Sequence, residues 1–295
     1  MDSILITGGT GSFGQAFTRY LLENSLASRI CIFSRGEHTQ AAMRAAFNND
    51  PRLRFFLGDV RDLPRLRRAM EGVDTVVHAA ALKRIEVGVY NPDEMVKTNV
   101  LGAMNVVEAA HAAGVQNVVA LSTDKAYMPI SPYGQSKALA ETIFLSANTL
   151  HTHGPKYSVV RYGNVWCAQG SVIPKWVELT KQHKVIEITS EECTRFFMTV
   201  EQAFLLVHSL IHEPVTDRVT IADNLPAYRV GDLLVAFTSF MGQRGLAVAH
   251  TYSGLPFWEK YHESMEENFC SVDARRMTVD EIETELHKAS LEGLI

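Results

Sequence analysis

The chain has 295 residues, 46% of them hydrophobic and 21% charged, with a mean hydropathy of −0.01; a chain of this size and composition buries a core without disulfide or metal staples. Its 28 Lys and Arg against 33 Asp and Glu leave a formal net charge of −5, the wrong sign for gripping a phosphate backbone, so no nucleic-acid partner is expected. No run approaches the roughly eighteen apolar residues of a membrane span, and Met1-Asp2-Ser3 puts an acid where a secretory signal carries Lys or Arg. No membrane association is expected, and the cytoplasm is the expected compartment. Cys31, Cys167, Cys193 and Cys270 are scattered, with no CxxC pair and no clustered His, so reduced thiols and no metal site are expected.

Up to residue 163, short β-branched runs alternate with longer periodic segments. Strands are expected near 3–7, 29–34, 53–58, 74–79, 117–122 and 157–162. Helices are expected at Phe13 to Glu23, Glu37 to Phe47, Pro64 to Glu71, Asp93 to Ala113 and Pro132 to Ala147. That order predicts an α/β fold, a doubly wound parallel sheet of Rossmann type. Beyond Gly163 the strands shorten, Trp, Phe and Pro become frequent, and Asp223-Asn224-Leu225-Pro226 and Gly254-Leu255-Pro256 read as loops.

The first strand runs into Thr7-Gly8-Gly9-Thr10-Gly11-Ser12-Phe13-Gly14, with Gly8, Gly11 and Gly14 in a GxxGxxG spacing at the mouth of a helix. Such a turn lets the backbone approach a pyrophosphate, and the helix N-terminus supplies amide donors for it. The second strand ends Phe33-Ser34-Arg35, where an NAD-binding chain places Asp or Glu against the ribose. The Ser34 hydroxyl and Arg35 guanidinium suit a 2′-phosphate instead, so NADP is the expected cofactor. Asp59 and Val60 after the third strand, and Ala79, Ala80 and Ala81 after the fourth, sit where adenine and the phosphoribose would pass. A dinucleotide-binding domain is thus expected over 1–163, with a smaller, mainly substrate-binding part over 164–295 interleaved with it. Tyr133 and Lys137 lie one helical turn apart, and the cation is expected to lower the phenol toward a usable acid or base.

These segments, with Gly58-Asp59-Val60-Arg61-Asp62, His78-Ala79-Ala80-Ala81-Leu82-Lys83, Ser122-Thr123-Asp124-Lys125-Ala126, Arg161-Tyr162-Gly163-Asn164-Val165, Thr194-Arg195-Phe196 and Glu259-Lys260-Tyr261-His262-Glu263, resemble the extended short-chain dehydrogenase/reductases. Within them the chain is similar, nearly end to end, to the inverting UDP-N-acetylglucosamine 4,6-dehydratases. The resemblance implies an NADP-dependent lyase acting on a nucleotide sugar for glycan biosynthesis. It implies catalysis by Thr123, Asp124, Lys125, Tyr133 and Lys137, the Asp124-Lys125 pair being what the inverting branch uses. It also implies substrate contacts from Lys83, Asn164, Val172, Pro174, Arg195 and Glu263, and a homo-oligomer, dimer or higher. The chain departs from the family pattern at Trp166-Cys167-Ala168-Gln169, Ile221-Ala222-Asp223 and Pro256-Phe257-Trp258, all on the substrate side. The competing expectations are a nucleotide-sugar 4-epimerase or simple oxidoreductase using Tyr133 and Lys137 alone, and a non-catalytic NADP-binding protein.

Overall fold

The computed structural model describes residues 2–150, 153–213 and 216–295. The apolar runs of the first half become strands β1 (Ser3–Thr7), β2 (Arg29–Ser34), β3 (Leu53–Leu57), β4 (Thr75–His78), β5 (Asn117–Leu121) and β6 (Lys156–Arg161). They pair in the order β3-β2-β1-β4-β5-β6, and the short strand Thr220–Ile221 adds to β6 as the seventh. Every pairing is parallel. Ile4, Leu5 and Ile6 are wholly buried, as continuous apolar runs are when helices cover both faces of a parallel sheet. The strand order reverses between β1 and β4, and ligands of such sheets bind beyond the carboxyl ends of the strands at that reversal.

The crossovers are α1 (Ser12–Glu23), α2 (Glu37–Ala46) and α3 (Leu63–Ala69), the last capped by the Asp62 carboxylate on the amide of Arg65. After β4 comes a short helix outside the expected ones, α4 (Ile85–Tyr90), and then the helix expected over Asp93 to Ala113 is divided into α5 (Pro92–Met95), a π-helical stretch Val96–Leu101 and α6 (Gly102–Ala113), which ends at Gly114 in the left-handed conformation. The long helix α7 (Pro132–Leu150) follows β5.

The chain forms two compact units, Met1–Arg161 with Val200–Ala222, and Tyr162–Thr199 with Asp223–Ile295. The helix Val200–His212 belongs to the first, where Phe204 stacks on Phe17 and Tyr20 of α1. The core of that unit gathers Leu5, Phe33, Leu66, Val106, Val118, Phe144 and Tyr157. The second unit has its own core around Trp166, Trp176, Phe197, Phe237 and Leu286. It contains a three-stranded sheet ordered Ala227–Arg229, Thr194–Met198, Asn164–Val165, and the helix Val279–Leu291, begun by a Thr278/Glu281 capping box. Among the described residues no helix is long and apolar enough to cross a membrane, and no His, Cys, Asp and Glu group could hold a metal ion. All four cysteines are free thiols; Cys270 is half-buried and the others buried.

Candidate active site

Two glycines set the phosphate turn. Gly8 has φ +66°, and a Cβ there would lie 2.9 Å from the backbone of Ala80; at Gly14 it would lie 2.4 Å from the carbonyl oxygen of Gly9. The turn is closed by Gly8 N donating to Phe33 O and Gly11 N to Gly8 O. Gly11 is the N-cap of α1 and contributes no side-chain bond, so the amide end of the helix suits an anion. The Gln15 amide fixes the Thr10 carbonyl at 2.8 Å, and Phe13 packs on Phe17. Opposite the turn, Ala79 N donates to Thr7 O and Ala80 N to Thr7 Oγ1, which also bonds His78 Nδ1 at 2.8 Å. The half-buried alanines 79–81 therefore keep their backbone close to Gly8. These narrow, amide-rich strand ends fit a dinucleotide.

At the next strand ends, Ser34 is buried and its hydroxyl accepts from Gln40, which also bonds the carbonyls of Ser34 and Phe56. Arg35 is half-exposed and 3.7 Å from Asp59. Asp59 is held more closely by Arg61, whose Nε and Nη2 lie 3.1 and 3.0 Å from Oδ2. Burial acts to raise the Asp59 pKa, but Arg61 and then Arg35 outweigh it and hold the carboxylate below its ordinary value. Val60 is buried against Gly102.

The reactive groups gather where β5 meets α7. Thr123 Oγ1 donates to Asp124 Oδ1 at 2.9 Å, and Lys125 Nζ donates to the same oxygen at 3.0 Å. Asp124 is fully buried. Tyr133 shares a side-chain hydrogen bond with Thr123 and feels the charge of Lys125. The close approach depends on Gly134, because a Cβ there would lie 2.2 Å from the Lys125 carbonyl oxygen. Lys137 is buried and its ammonium donates to the Leu121 carbonyl at 2.6 Å; the phenol expected to be lowered is instead raised by burial, against which the charge of Lys125 acts. Burial dominates, pushing Tyr133 up to about 12 and Lys137 down to about 8, the latter partly offset by Glu141. His78, buried beside Lys137, is pushed down to about 3.

Two polar residues given no role in the sequence reading, Asn99 and Glu141, turn out to brace this site. Asn99, in the π-helical stretch, bonds both the N–H and the carbonyl of Leu82 and donates to Ser136. The wider turn is what aims it at that loop. Glu141 accepts from Ser122 and from Arg161 in a buried network. A polar side chain inside an apolar helical run was the available signal for Asn99 and Glu141. Lys83 follows Leu82 and is exposed.

The remaining substrate candidates lie in the second unit. Asn164 opens the strand that pairs with Phe197, while Val172 and Pro174 lie in the first turn of the helix Val172–Lys181. Arg195 is buried, donating to the Thr194 and Tyr261 carbonyls, with Glu259 3.5 Å away. Burial acts to lower its pKa, but Glu263 and Glu259 outweigh that and raise it. Glu263 is only 1% exposed; its amide donates to Ser271 and Lys260 lies 3.5 Å from its carboxylate.

Comparison with known proteins gives the family and the fold. The inverting UDP-N-acetylglucosamine 4,6-dehydratase of Campylobacter jejuni is 40% identical over 265 residues, 89% of this chain and 77% of that protein. The UDP-glucose 4-epimerase of Rickettsia felis is 39% identical over 268 residues, again 89% and 77%. Among solved structures, Pen from Bacillus thuringiensis superposes with a TM-score of 0.93 at 27% identity, covering 98% of both chains. The dTDP-glucose 4,6-dehydratase of Streptomyces venezuelae, solved with NAD bound, shares the fold at a TM-score of 0.84 and 21% identity, covering 99% of this chain and 100% of that one. The family described as polysaccharide biosynthesis protein matches residues 4–280, and with that span and a relative of 40% identity the chain belongs to this family, built on the extended short-chain dehydrogenase/reductase fold.

Proposed function

We propose that the protein is an NADP-dependent 4,6-dehydratase of a nucleotide-diphosphate hexose, UDP-N-acetylglucosamine or a related sugar, and that it inverts carbon 5. The observation that carries this is the Asp124-Lys125 pair, an acid and a base 3.0 Å apart, in the same turn as the hydroxyl that bonds Tyr133. An epimerase needs a group to take and return one hydroxyl proton; an elimination needs a second acid and base.

A dinucleotide bound along the glycine turn would supply a hydride acceptor for carbon 4 and a hydride donor for carbon 6. Tyr133 takes the proton of the carbon 4 hydroxyl, with Lys125 and Thr123 countering the burial that raises its phenol. The resulting ketone acidifies carbon 5. Moving the shared proton from Lys125 Nζ to Asp124 Oδ1 gives a neutral amine and a carboxylic acid. Lys125 then takes the carbon 5 proton as Asp124 gives its proton to the departing 6-hydroxyl, which leaves as water. Tyr133, protonated and weakly acidic, returns its proton to carbon 5 from the opposite face.

Gly8, Thr10, Gly11, Ser12, Phe13 and Gly14 would hold the pyrophosphate, with Asp59, Ala79, Ala80 and Ala81 along the adenosine half. Arg61 already satisfies Asp59, so the longer and more exposed Arg35 contact is the one that can turn to a 2′-phosphate. The reading takes Lys83, Asn164, Val172, Pro174, Arg195 and Glu263 as substrate contacts. It places the enzyme in the cytoplasm as a homo-oligomer, which the exposed Leu101, Met104 and Leu139 support.

Mass spectrometry of products from a panel of nucleotide sugars in deuterium oxide, with NADP or NAD supplied, tests the proposal. A product lighter by one water, with one deuterium at an inverted carbon 5, is expected. A product of unchanged mass that keeps its 6-hydroxyl puts the epimerase in its place.

A further inference from the structure

Ser122, Glu141 and Arg161 take no part in the steps above, yet all three are buried. Glu141 Oε1 accepts from the Ser122 hydroxyl and from Arg161 Nε at 3.0 Å, and its Oε2 accepts from Arg161 Nη2. The guanidinium also lies over the Tyr127 ring, 5.7 Å from its centroid. A buried ion pair is a weak source of stability, since an apolar pair of the same volume commonly does as well; what it can add is a directional constraint.

Here the constraint falls on the reactive turn. Ser122 directly precedes Thr123, and its amide donates to Val160 O at 2.7 Å, the residue before Arg161 at the end of β6. On α7, Glu141 lies one turn beyond Lys137 and two beyond Tyr133, so the three share a face. The helix therefore grips the end of β5 twice in succession, Lys137 on the Leu121 carbonyl and Glu141 on the Ser122 hydroxyl.

We propose that the Glu141–Arg161 pair is a positioning device: it locks the end of β5 onto α7 so that Thr123, Asp124 and Lys125 meet Tyr133, and its carboxylate is the counter-charge for the Lys137 ammonium.

The surroundings of Lys137 leave that task to Glu141. His78 faces it from β4 in the neutral form, and Glu141 is the group that offsets burial in raising Lys137. Asp124 and Lys125 bear on Tyr133. Lys97 pairs with Asp93 and Glu94 at the surface, and Glu108 of α6 pairs with Arg67. Neutralising Glu141 lowers the Lys137 pKa, so its ammonium is lost at a lower pH.

The kinetic part of the test rests on the dehydratase reading; the titration part does not. Glu141→Gln keeps the size and the acceptor for Ser122 but removes the charge. Its kcat is expected to fall about 10²-fold through misplacement of the turn, with KM little changed and the alkaline limb of the pH–rate profile displaced to lower pH. The double variant Glu141→Gln/Arg161→Met removes the buried cation along with the carboxylate charge and should recover thermal stability while kcat and the displaced limb stay as in the single variant. In ligand-free protein labelled with 15N at lysine Nζ, the Lys137 resonance, assigned with Lys137→Arg, should titrate at lower pH in Glu141→Gln. Wild-type kcat and pH limb in Glu141→Gln, or recovery of both in the double variant, would overturn the proposal. So would an unmoved Lys137 titration, whatever the reaction catalysed. Absence of dehydration by wild type overturns the dehydratase reading alone, and the Lys137 titration still decides the role of the pair.

Discussion

The half-buried Lys125 tests the proposed chemistry, and the buried His78 tests stability. If Lys125 is the base that opens carbon 5, Lys125→Ala should leave dinucleotide binding nearly intact while elimination falls by roughly 10²- to 10⁴-fold. Tyr133, still bonded to Thr123, remains to start the oxidation, slowed by the loss of the Lys125 charge beside its phenol, so reduced cofactor should accumulate beside a 4-keto sugar. Absorbance at 340 nm in single turnover reads this directly, and near-normal dehydration in the variant would remove Lys125 from the mechanism. His78 is 2% exposed, bonded to Thr7, and held near 3 by burial and by Lys137, against an ordinary value of 6.5. A depressed histidine favours the folded state fully above the unfolded value, and that contribution is lost as pH falls from 6.5 toward 3. The loss amounts to on the order of 4 kcal/mol. Urea denaturation across that range should therefore show a steeper acid loss in wild type than in His78→Gln, which keeps a partner for Thr7 but does not titrate.

Helix α7 joins sequence to site most directly, and it also marks where the sequence stops being legible. Gly134 lets it approach the reactive turn, and Gly134→Ala drives a methyl against the Lys125 carbonyl. A cost of roughly 1–3 kcal/mol in stability is expected, with a larger loss of turnover than of dinucleotide affinity. Gly114→Ala is the control: nothing lies within 4 Å of its Cβ, so its φ of +68° should cost stability alone. Equal kinetic effects in the two variants would show that the approach at Gly134 is not what aligns Tyr133. The six strands of the first half and the Gly8 turn were legible because each is a short run rich in β-branched and apolar residues, or a glycine spacing, that local physics reads. Glu141 and Asn99 were not. In sequence they sit within Ala138-Leu139-Ala140-Glu141-Thr142 and Val96-Lys97-Thr98-Asn99-Val100, where a polar residue suits a solvated helix face. Their partners Arg161 and Leu82 lie 20 and 17 residues away. The effect of Lys137 on Tyr133 was misread for a related reason: four-residue spacing predicts a shared face but not that a strand carbonyl will claim the ammonium.

Across the whole molecule, the two units carry different halves of the proposed chemistry, and that division can be tested without turnover. The first unit holds the glycine turn, the strand ends through Ala81 and the Thr123–Lys137 cluster, above a core of its own. The second is organised around aromatic packing and the buried charges Arg195 and Glu263, with the half-buried Glu259 beside Arg195. A ligand slows amide exchange where it binds by stabilising the closed form, in proportion to its occupancy. NADP alone should therefore protect amides at residues 8–14, 34–36, 58–60 and 79–81. A nucleoside diphosphate alone should protect residues 164–174, 194–196 and 259–263, with the glycine turn unchanged. Because Arg195 is buried beside Glu263 and the half-buried Glu259, Arg195→Ala would remove their shared cation and leave Lys260 as the cation beside Glu263, a break that costs up to about 3–5 kcal/mol. Arg195→Lys is the variant that keeps the charge while losing the forked donor, and it should lose protection by the diphosphate while keeping that by NADP. If the diphosphate protects only the first unit, or protects neither, residues 164–263 are not the substrate-binding part and the nucleotide-sugar assignment loses its binding site.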